Sequence, residues 1–249
     1  MARKVRYETT AKDEWDNRTS DLDISIEHDM PFAEIFEAYL PKSTQMSIIE
    51  VGSIPGNFLV YFHKAFGYKV NGIDFAENTR VFHETMKCNG IKDYNFNKAD
   101  FFNHSIKEKF DVVVSFGFIE HFDDTKDVVS RHVELMKPGG YLVLTVPNFR
   151  FLQYFYHLHF DKPNLDIHNL NAMKIGKLKS ILKNQGMQKL YARYYGNLKV
   201  WRQNTPLSQN ALKRVNALHR WVGDKGHKFP TSRLYSPYIV LIYRKPDDK

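Results

Sequence analysis

The chain is nearly devoid of cysteine: Cys88 is the only one in 249 residues. That excludes a disulfide framework within the chain and any cysteine-rich zinc module. Long apolar runs are missing as well. No stretch reaches the roughly 18 apolar residues that a membrane-crossing helix needs. The opening segment 1–15 is polar and charged, without the apolar centre of a secretory leader. The sequence therefore predicts no membrane span and, by default, a cytoplasmic location. Acidic residues are scarce in one region only. Residues 1–170 carry 19 Lys/Arg and 25 Asp/Glu, whereas residues 171–249 carry 17 and 3. The net charge of +8 thus resides in the C-terminal third. That third is either a face for an anionic partner, such as a phosphorylated metabolite, a nucleotide-linked substrate or nucleic acid, or a solvated basic surface with no specific ligand. What is present suits a globular chain: 43% hydrophobic and 14% aromatic residues, in a length that can bury a sizeable core.

Apolar runs bounded by turn residues predict strands at 47–51, 69–74, 94–99, 111–115 and 141–146, with helical patterns between them at about 57–66, 78–89 and 125–136. Strand–helix alternation of this kind builds a parallel sheet covered by helices on both faces, and the near-continuous apolar runs IIEV, DVVVSF and YLVLTV fit burial on both sides. Ahead of it, Pro31 opens an amphipathic segment with Phe32, Ile35, Phe36 and Leu40 on one face. After it, residues 171–185 read as a further helix ended by Gly186, and 187–195 and 238–243 as two closing strands. The expectation is a single α/β domain over 1–249 with a seven-stranded, mostly parallel sheet. Residues 1–44 are its N-terminal helical or lid segment, and 196–236 a basic insertion before the last strand.

The strongest local signal is IIEVGSIPGNF, residues 48–58, where an apolar strand runs through Glu50, Gly52, Ser53 and Gly56 into a helix. Glycine there permits unusual dihedrals and a close ligand, and the helix start offers free N–H groups. Strand two ends at Asp74-Phe75, where an acidic side chain in nucleotide-binding α/β folds accepts from ribose hydroxyls. Strand three ends at Asp100-Phe101, strand four at Ser115, and the turn Lys137-Pro138-Gly139-Gly140 leads into strand five. In order and spacing these elements resemble the class I S-adenosylmethionine (SAM)-dependent methyltransferases over about residues 45–245. One departure is visible: Ile54, followed by Pro55, stands where the family pattern has its middle glycine. A nicotinamide-binding domain, the main competitor, would show Gly-x-Gly-x-x-Gly instead. The resemblance implies a Rossmann-like fold with SAM as cofactor and S-adenosylhomocysteine as product. It implies a cofactor site made by Glu50, Gly52, Ser53, Gly56, Asp74, Phe75, Asp100, Phe101 and Ser115, with Asp100 accepting from the adenine amine and Phe75 or Phe101 packing on the ring.

Methyl transfer from a sulfonium is an in-line displacement that needs positioning and, for a hydroxyl acceptor, a base. Two histidines are candidates. His121 lies in Ile119-Glu120-His121-Phe122, which resembles the Glu-His segment of small-molecule methyltransferases. His168 lies in Asp166-Ile167-His168-Asn169, which resembles the segment just before the helix 171–185 where small-molecule members of the family carry a histidine over the active-site mouth. Each is equally readable as a structural histidine. The aromatic run 149–160 is either an acceptor-side wall or a helix packed on the core, and His157 and His159, two apart, cannot share a helix face. No metal site is expected, although Asp123 could contribute to a loosely held Mg²⁺. The end of strand four lacks the Asn/Asp-Pro-Pro-aromatic signature of nucleic-acid base methyltransferases, and Cys88 lies too early in the chain to serve as a cytosine C5 nucleophile. The leading expectation is O-methylation of a small, anionic or phosphate-bearing acceptor, for example a sugar nucleotide or a surface-polysaccharide precursor. The alternatives are an RNA or protein methyltransferase that docks through its basic third, with Trp201, Trp221, Tyr194 and Tyr195 available for stacking, and a SAM-binding protein without catalysis.

Overall fold

The computed structural model describes residues 30–103, 106–202 and 206–248. Seven strands form one sheet: β1 (Ser47–Val51), β2 (Lys69–Asp74), β3 (Tyr94–Lys98), β4 (Phe110–Phe116), β5 (Met136–Pro147), β6 (Gln188–Tyr195) and β7 (Tyr238–Arg244). Their order across the sheet is β3-β2-β1-β4-β5-β7-β6. The first five strands are parallel, while β7 runs antiparallel to both β5 and β6. The order reverses between β1 and β4, so the carboxyl ends of β1, β2 and β4 flank the switch point, where ligands settle in sheets of this kind.

Helices cover both faces. On one lie α1 (Ala33–Tyr39), α2 (Asn57–Phe66) and α3 (Arg80–Cys88). Their apolar stripes enclose a core that includes Phe36, Leu59, Phe62, Phe82 and Met86 with Ile48, Val112 and Val240 from the sheet. On the other lie α4 (Thr125–Glu134) and α7 (Ile175–Asn184), packing Val128, Val129, Leu178 and Leu182 on Ile49, Val113 and Leu144. Helix α4 starts where the Asp124 carboxylate accepts from the N–H groups of Lys126 and Asp127, both at 3.0 Å, satisfying donors that the first helical turn leaves open.

Boundaries shift at the ends. Helix α1 begins two residues after Pro31, because Phe32 takes a left-handed backbone (φ 69°) that no α-helix continues. Strand β5 starts at Met136 and includes the Lys137–Gly140 segment expected as a turn. The bend is still there: Gly139 has φ +73°, and the register against β4 slips between Phe110 and Val112. Lys137 reaches back to the Asp111 carboxylate at 2.8 Å, which also accepts from the Ser47 hydroxyl at 2.9 Å.

After β5 the chain forms α5 (Leu152–Phe160) and the short α6 (Lys162–Asp166). The basic insertion contains α8 (Gln209–Lys225). It joins α5 through a small apolar cluster of Tyr156, Leu198, Val200 and Val222, and through a 2.7 Å hydrogen bond between the Tyr156 hydroxyl and His219 Nε2. Among the described residues no helix is long and apolar enough to cross a membrane.

Candidate active site

The β1–α2 loop leaves the strand at Gly52, whose φ of +74° belongs to the left-handed region that glycine tolerates. Close packing requires glycine here too: a Cβ would lie 2.7 Å from Phe118 Cδ2. The N–H groups of Gly52 and Ser53 donate to the Ile73 carbonyl, at 3.0 and 3.3 Å, tying the loop to β2. Asp74 completes the tie. Its Oδ2 accepts from the Ile54 N–H at 3.1 Å and its Oδ1 from the Ala76 N–H at 3.0 Å. Ile54, in place of the family's middle glycine, thus joins the loop to Asp74 through its backbone.

These elements bound a crevice of about 810 Å³, open mouth included, at the switch point. Gly52, Ile54, Asp74, Phe75, Ala99 and Phe101 line it from the β1, β2 and β3 ends, and Phe116, Gly117, Phe118, His121 and Phe122 from the β4 end. The make-up is that of a small-molecule site: mostly apolar walls with few polar groups.

Of the residues expected around the cofactor, Gly52, Asp74, Phe75 and Phe101 line this crevice. The others stand behind it. Gly56 faces α3, where a Cβ would lie 2.6 Å from Met86 Cε. Ser53 is buried against Gly72 of β2. Asp100 closes its own turn, accepting from the Phe102 N–H at 2.8 Å and from Asn103 Nδ2 at 2.5 Å. Glu50 and Ser115 are buried at the ends of β1 and β4, and Glu50 Oε2 and Ser115 Oγ find no hydrogen-bond partner among the described residues. Burial, and after it the Asp74 charge, holds the Glu50 carboxyl well above the usual carboxylate range. Sequence reading missed Phe118 and Phe122. The run FGFIEHF did place aromatic residues at the β4 end, but nothing in the one-dimensional pattern showed that Phe118 folds back over Gly52.

His121 and His168 come together. The turn Ile119–His121 follows β4, and residues 166–171 cross over it. Asn169 fastens the two: its N–H donates to the Glu120 carbonyl at 2.7 Å, and its Nδ2 to the carbonyls of Phe122 and Asp123 at 2.7 and 3.2 Å. The imidazole rings of His121 and His168 then lie 4.7 Å apart. Phe149 packs on His168 at 4.8 Å and on His157 at 4.0 Å. His157 is fully buried and pairs with the Asp161 carboxylate at 3.1 Å, which makes it a structural residue of α5. Glu120, between the two turns, is 1% exposed, and burial pushes its carboxyl up to about 8 against a smaller lowering by its own backbone amide. A second hollow, lined by Glu120, His121, Asp123, Asp166, His168 and Asn169, opens beside the crevice, and His121 lines both.

The aromatic residues suggested for stacking divide. Trp201 packs inside, 5.2 Å from Phe149 and 5.4 Å from His157, and Tyr195 packs on Phe32 at 4.8 Å. Trp221 on α8 is 49% exposed. Cys88 is exposed at the end of α3.

A family model described as a methyltransferase domain matches residues 27–192. The chain belongs to that family, the SAM-dependent class I methyltransferases with a Rossmann-like fold. A curated relative, the mitochondrial ubiquinone biosynthesis O-methyltransferase of Dictyostelium discoideum, is 25% identical over 120 residues, 44% of this chain. That match spans only 37% of the relative's length. Among solved structures, a SAM-dependent methyltransferase from Archaeoglobus fulgidus is 21% identical with a TM-score of 0.56, covering 85% of this chain and 92% of the other. Phosphoethanolamine N-methyltransferase 2 of Haemonchus contortus, solved with SAM, is 18% identical with a TM-score of 0.59, covering 86% of this chain and 52% of the other. At these identities the likeness to solved structures is one of fold.

The crevice suits the family's cofactor. Phe75, Ala99 and Phe101 offer apolar surface for a flat ring and Asp74 offers a carboxylate for hydroxyl groups, while behind this lining Glu50 Oε2 and Ser115 Oγ lie buried without a hydrogen-bond partner among the described residues.

Proposed function

We propose that the protein transfers a methyl group from SAM to a hydroxyl of a small, anionic acceptor. The observation that carries this reading is the position of His121, which lines both the crevice that suits SAM and the hollow beside it. When bound, SAM supplies the methyl group as a sulfonium electrophile. Asp74, with the Gly52 loop, holds the nucleoside end, so that donor and acceptor meet in one orientation, the main source of rate in such displacements. His121 and His168 are the proton acceptors. Transfer to the acceptor oxygen would release S-adenosylhomocysteine, and one of these imidazoles would take the hydroxyl proton. His168 is oriented for this by the Asn164 carbonyl, 2.5 Å from its Nδ1, which leaves Nε2 with the lone pair. Behind the crevice, Glu50, Ser53, Asp100 and Ser115 keep its walls in place.

Arginines supply the preference for an anion. Arg150 and Arg233 lie over the Phe151 ring at 5.2 and 5.9 Å, and Arg202 acts electrostatically on Tyr156 and His219. Arg150 adjoins Phe149 and Arg202 adjoins Trp201, both in the cluster packed beside His168. The relative named for ubiquinone biosynthesis is itself an O-methyltransferase, which agrees with an oxygen acceptor. The basic helix α8 with its exposed Trp221 favours a second reading, docking of RNA. The packing of Trp201 on Phe149 and of Tyr195 on Phe32 weighs against it.

The test is turnover of SAM with a panel of sugar nucleotides, phosphorylated hydroxy compounds and uncharged analogues, beside a salt titration of RNA binding. Turnover confined to anionic hydroxyl compounds supports the reading. Turnover on neutral compounds alone discards the anionic preference, and methylation of RNA with salt-sensitive binding replaces the small acceptor.

A further inference from the structure

We propose that Glu120, His121 and His168 form a binding site for one divalent first-row transition ion, set between the crevice and the hollow beside it. One ligand atom from each of the three side chains lies within 4.8 Å of the other two. Two ligands about an ion at 2.0–2.2 Å stand roughly 3–3.5 Å apart, so side-chain rotation of about an ångström closes the set on the metal.

Glu120 is the second, independent observation. It is 1% exposed, and its Oε2 has no hydrogen-bond partner among the described residues. A buried carboxylate oxygen is costly to leave unsatisfied, and no described lysine or arginine pairs with this one. One nitrogen of each imidazole lies within 4.8 Å of that carboxylate. A cation there satisfies the oxygen.

The surroundings are those of a metal ligand set. The Asn164 carbonyl at His168 Nδ1 fixes that ring's orientation and leaves Nε2 for the ion, as hydrogen bonds behind ligating histidines do. Asn169 holds the two ligand-bearing turns together through its N–H and Nδ2. The hollow lined by all three ligands and by Asp123 and Asp166 leaves room on the ion for water or an acceptor oxygen. Three protein ligands with an open position mark a reactive site, not a closed structural one.

Two nitrogens and one carboxylate oxygen select zinc, iron(II), cobalt(II) or manganese(II) over magnesium and calcium, which take all-oxygen shells. An acceptor hydroxyl on the open position would lose its proton to solvent at lower pH than when free. With the ion bound, the imidazoles hold it and solvent takes the proton; without it, an imidazole takes the proton as proposed above. Metal binding itself does not depend on methyl transfer, so the two can fail separately.

The experiment strips the full chain with a chelator, then titrates it with Zn²⁺ by calorimetry and with Co²⁺ by visible absorption. We expect one equivalent to bind, with cobalt bands of a nitrogen–oxygen site. Glu120→Gln and His168→Ala should each weaken binding by more than about 100-fold, beyond the loss usual for a group behind the ligands. SAM affinity, which reports on the crevice and the fold, should be retained. His159→Ala, at an exposed histidine on α5, should leave metal binding unchanged. If Glu120→Gln does not fold, His168→Ala decides alone, since that ring is only half-buried. Absence of binding by the wild-type chain overturns the proposal, and so does equal affinity in the His168 variant.

Discussion

Asp74 holds two segments with one carboxylate, the Gly52 loop through the Ile54 N–H and its own turn through the Ala76 N–H. Asp74 also lines the crevice, so the same group that shapes the loop can accept from ligand hydroxyls. Asp74→Ala should therefore lower SAM affinity by about 10- to 100-fold, or roughly 1–3 kcal/mol, and Asp74→Asn should recover part of it. Calorimetry decides, and unchanged affinity in the alanine variant removes Asp74 from the cofactor site. A second residue-scale prediction concerns acid. His132 on α4 is fully buried between Phe101 and Phe118, with Nδ1 at 2.7 Å from the Val128 carbonyl. Burial lowers its pKa from 6.5 to about 4. The fold favours the neutral ring, so this contribution is complete above 6.5 and is lost as pH falls from there toward 4, by up to about 3 kcal/mol. Denaturant unfolding should show stability declining over that window, and His132→Leu should flatten the decline. Because His132 packs on two crevice-lining rings, SAM affinity should weaken over the same range.

At the scale of elements, the approach of His168 to His121 depends on one clamp. The two histidines are 47 positions apart in the chain, and Asn169 makes three hydrogen bonds that bring their turns together. Asn169→Ala removes two of these and keeps the backbone bond. Turnover should fall at least about tenfold while SAM affinity changes little, because the clamp lies outside the crevice; a cost of about 1–2 kcal/mol to stability is expected from the unpaired carbonyls. Equal losses in turnover and SAM affinity would mean that the clamp shapes the crevice as well. This juxtaposition was not legible in the sequence. Periodicity predicts elements, and here it placed β1, β2 and α2 at their observed bounds. It says nothing about which loops cross. His121 and His168 were each readable as candidate bases, but the cluster with Glu120 depends on a crossing formed by hydrogen bonds to backbone carbonyls, which leave no pattern in residue order. Asp100 is the converse case: motif order points to it, and what the fold adds is that its carboxylate also accepts from the Phe102 N–H and the Asn103 side chain within its own turn.

For the whole molecule, the parallel sheet was legible because five apolar strands alternating with amphipathic helices admit few other arrangements. The packing of the basic insertion was not, because α8 meets α5 through the Tyr156–His219 hydrogen bond and meets Leu198 and Val200 of the preceding loop through Val222, pairings between distant segments that residue order does not show. The crevice draws its walls from β1, β2, β3 and β4 and from the turns after them, and a ligand seated there bridges segments from residue 52 to residue 122. Occupancy should therefore stabilise the sheet as a unit. At a SAM concentration about 100 times the dissociation constant, the linkage is worth about 2.7 kcal/mol, which for a chain of this size raises the unfolding midpoint by roughly 5–10 °C. The shift should grow with the logarithm of ligand concentration and shrink in Asp74→Ala. Nicotinamide dinucleotides should give none, because the Gly52–Gly56 spacing and the packing of Phe118 on Gly52 leave no Gly-x-Gly-x-x-Gly cradle for a pyrophosphate. A midpoint raised by the dinucleotide and unmoved by SAM would assign the crevice to a different cofactor and withdraw the methyl donor from the proposed reaction.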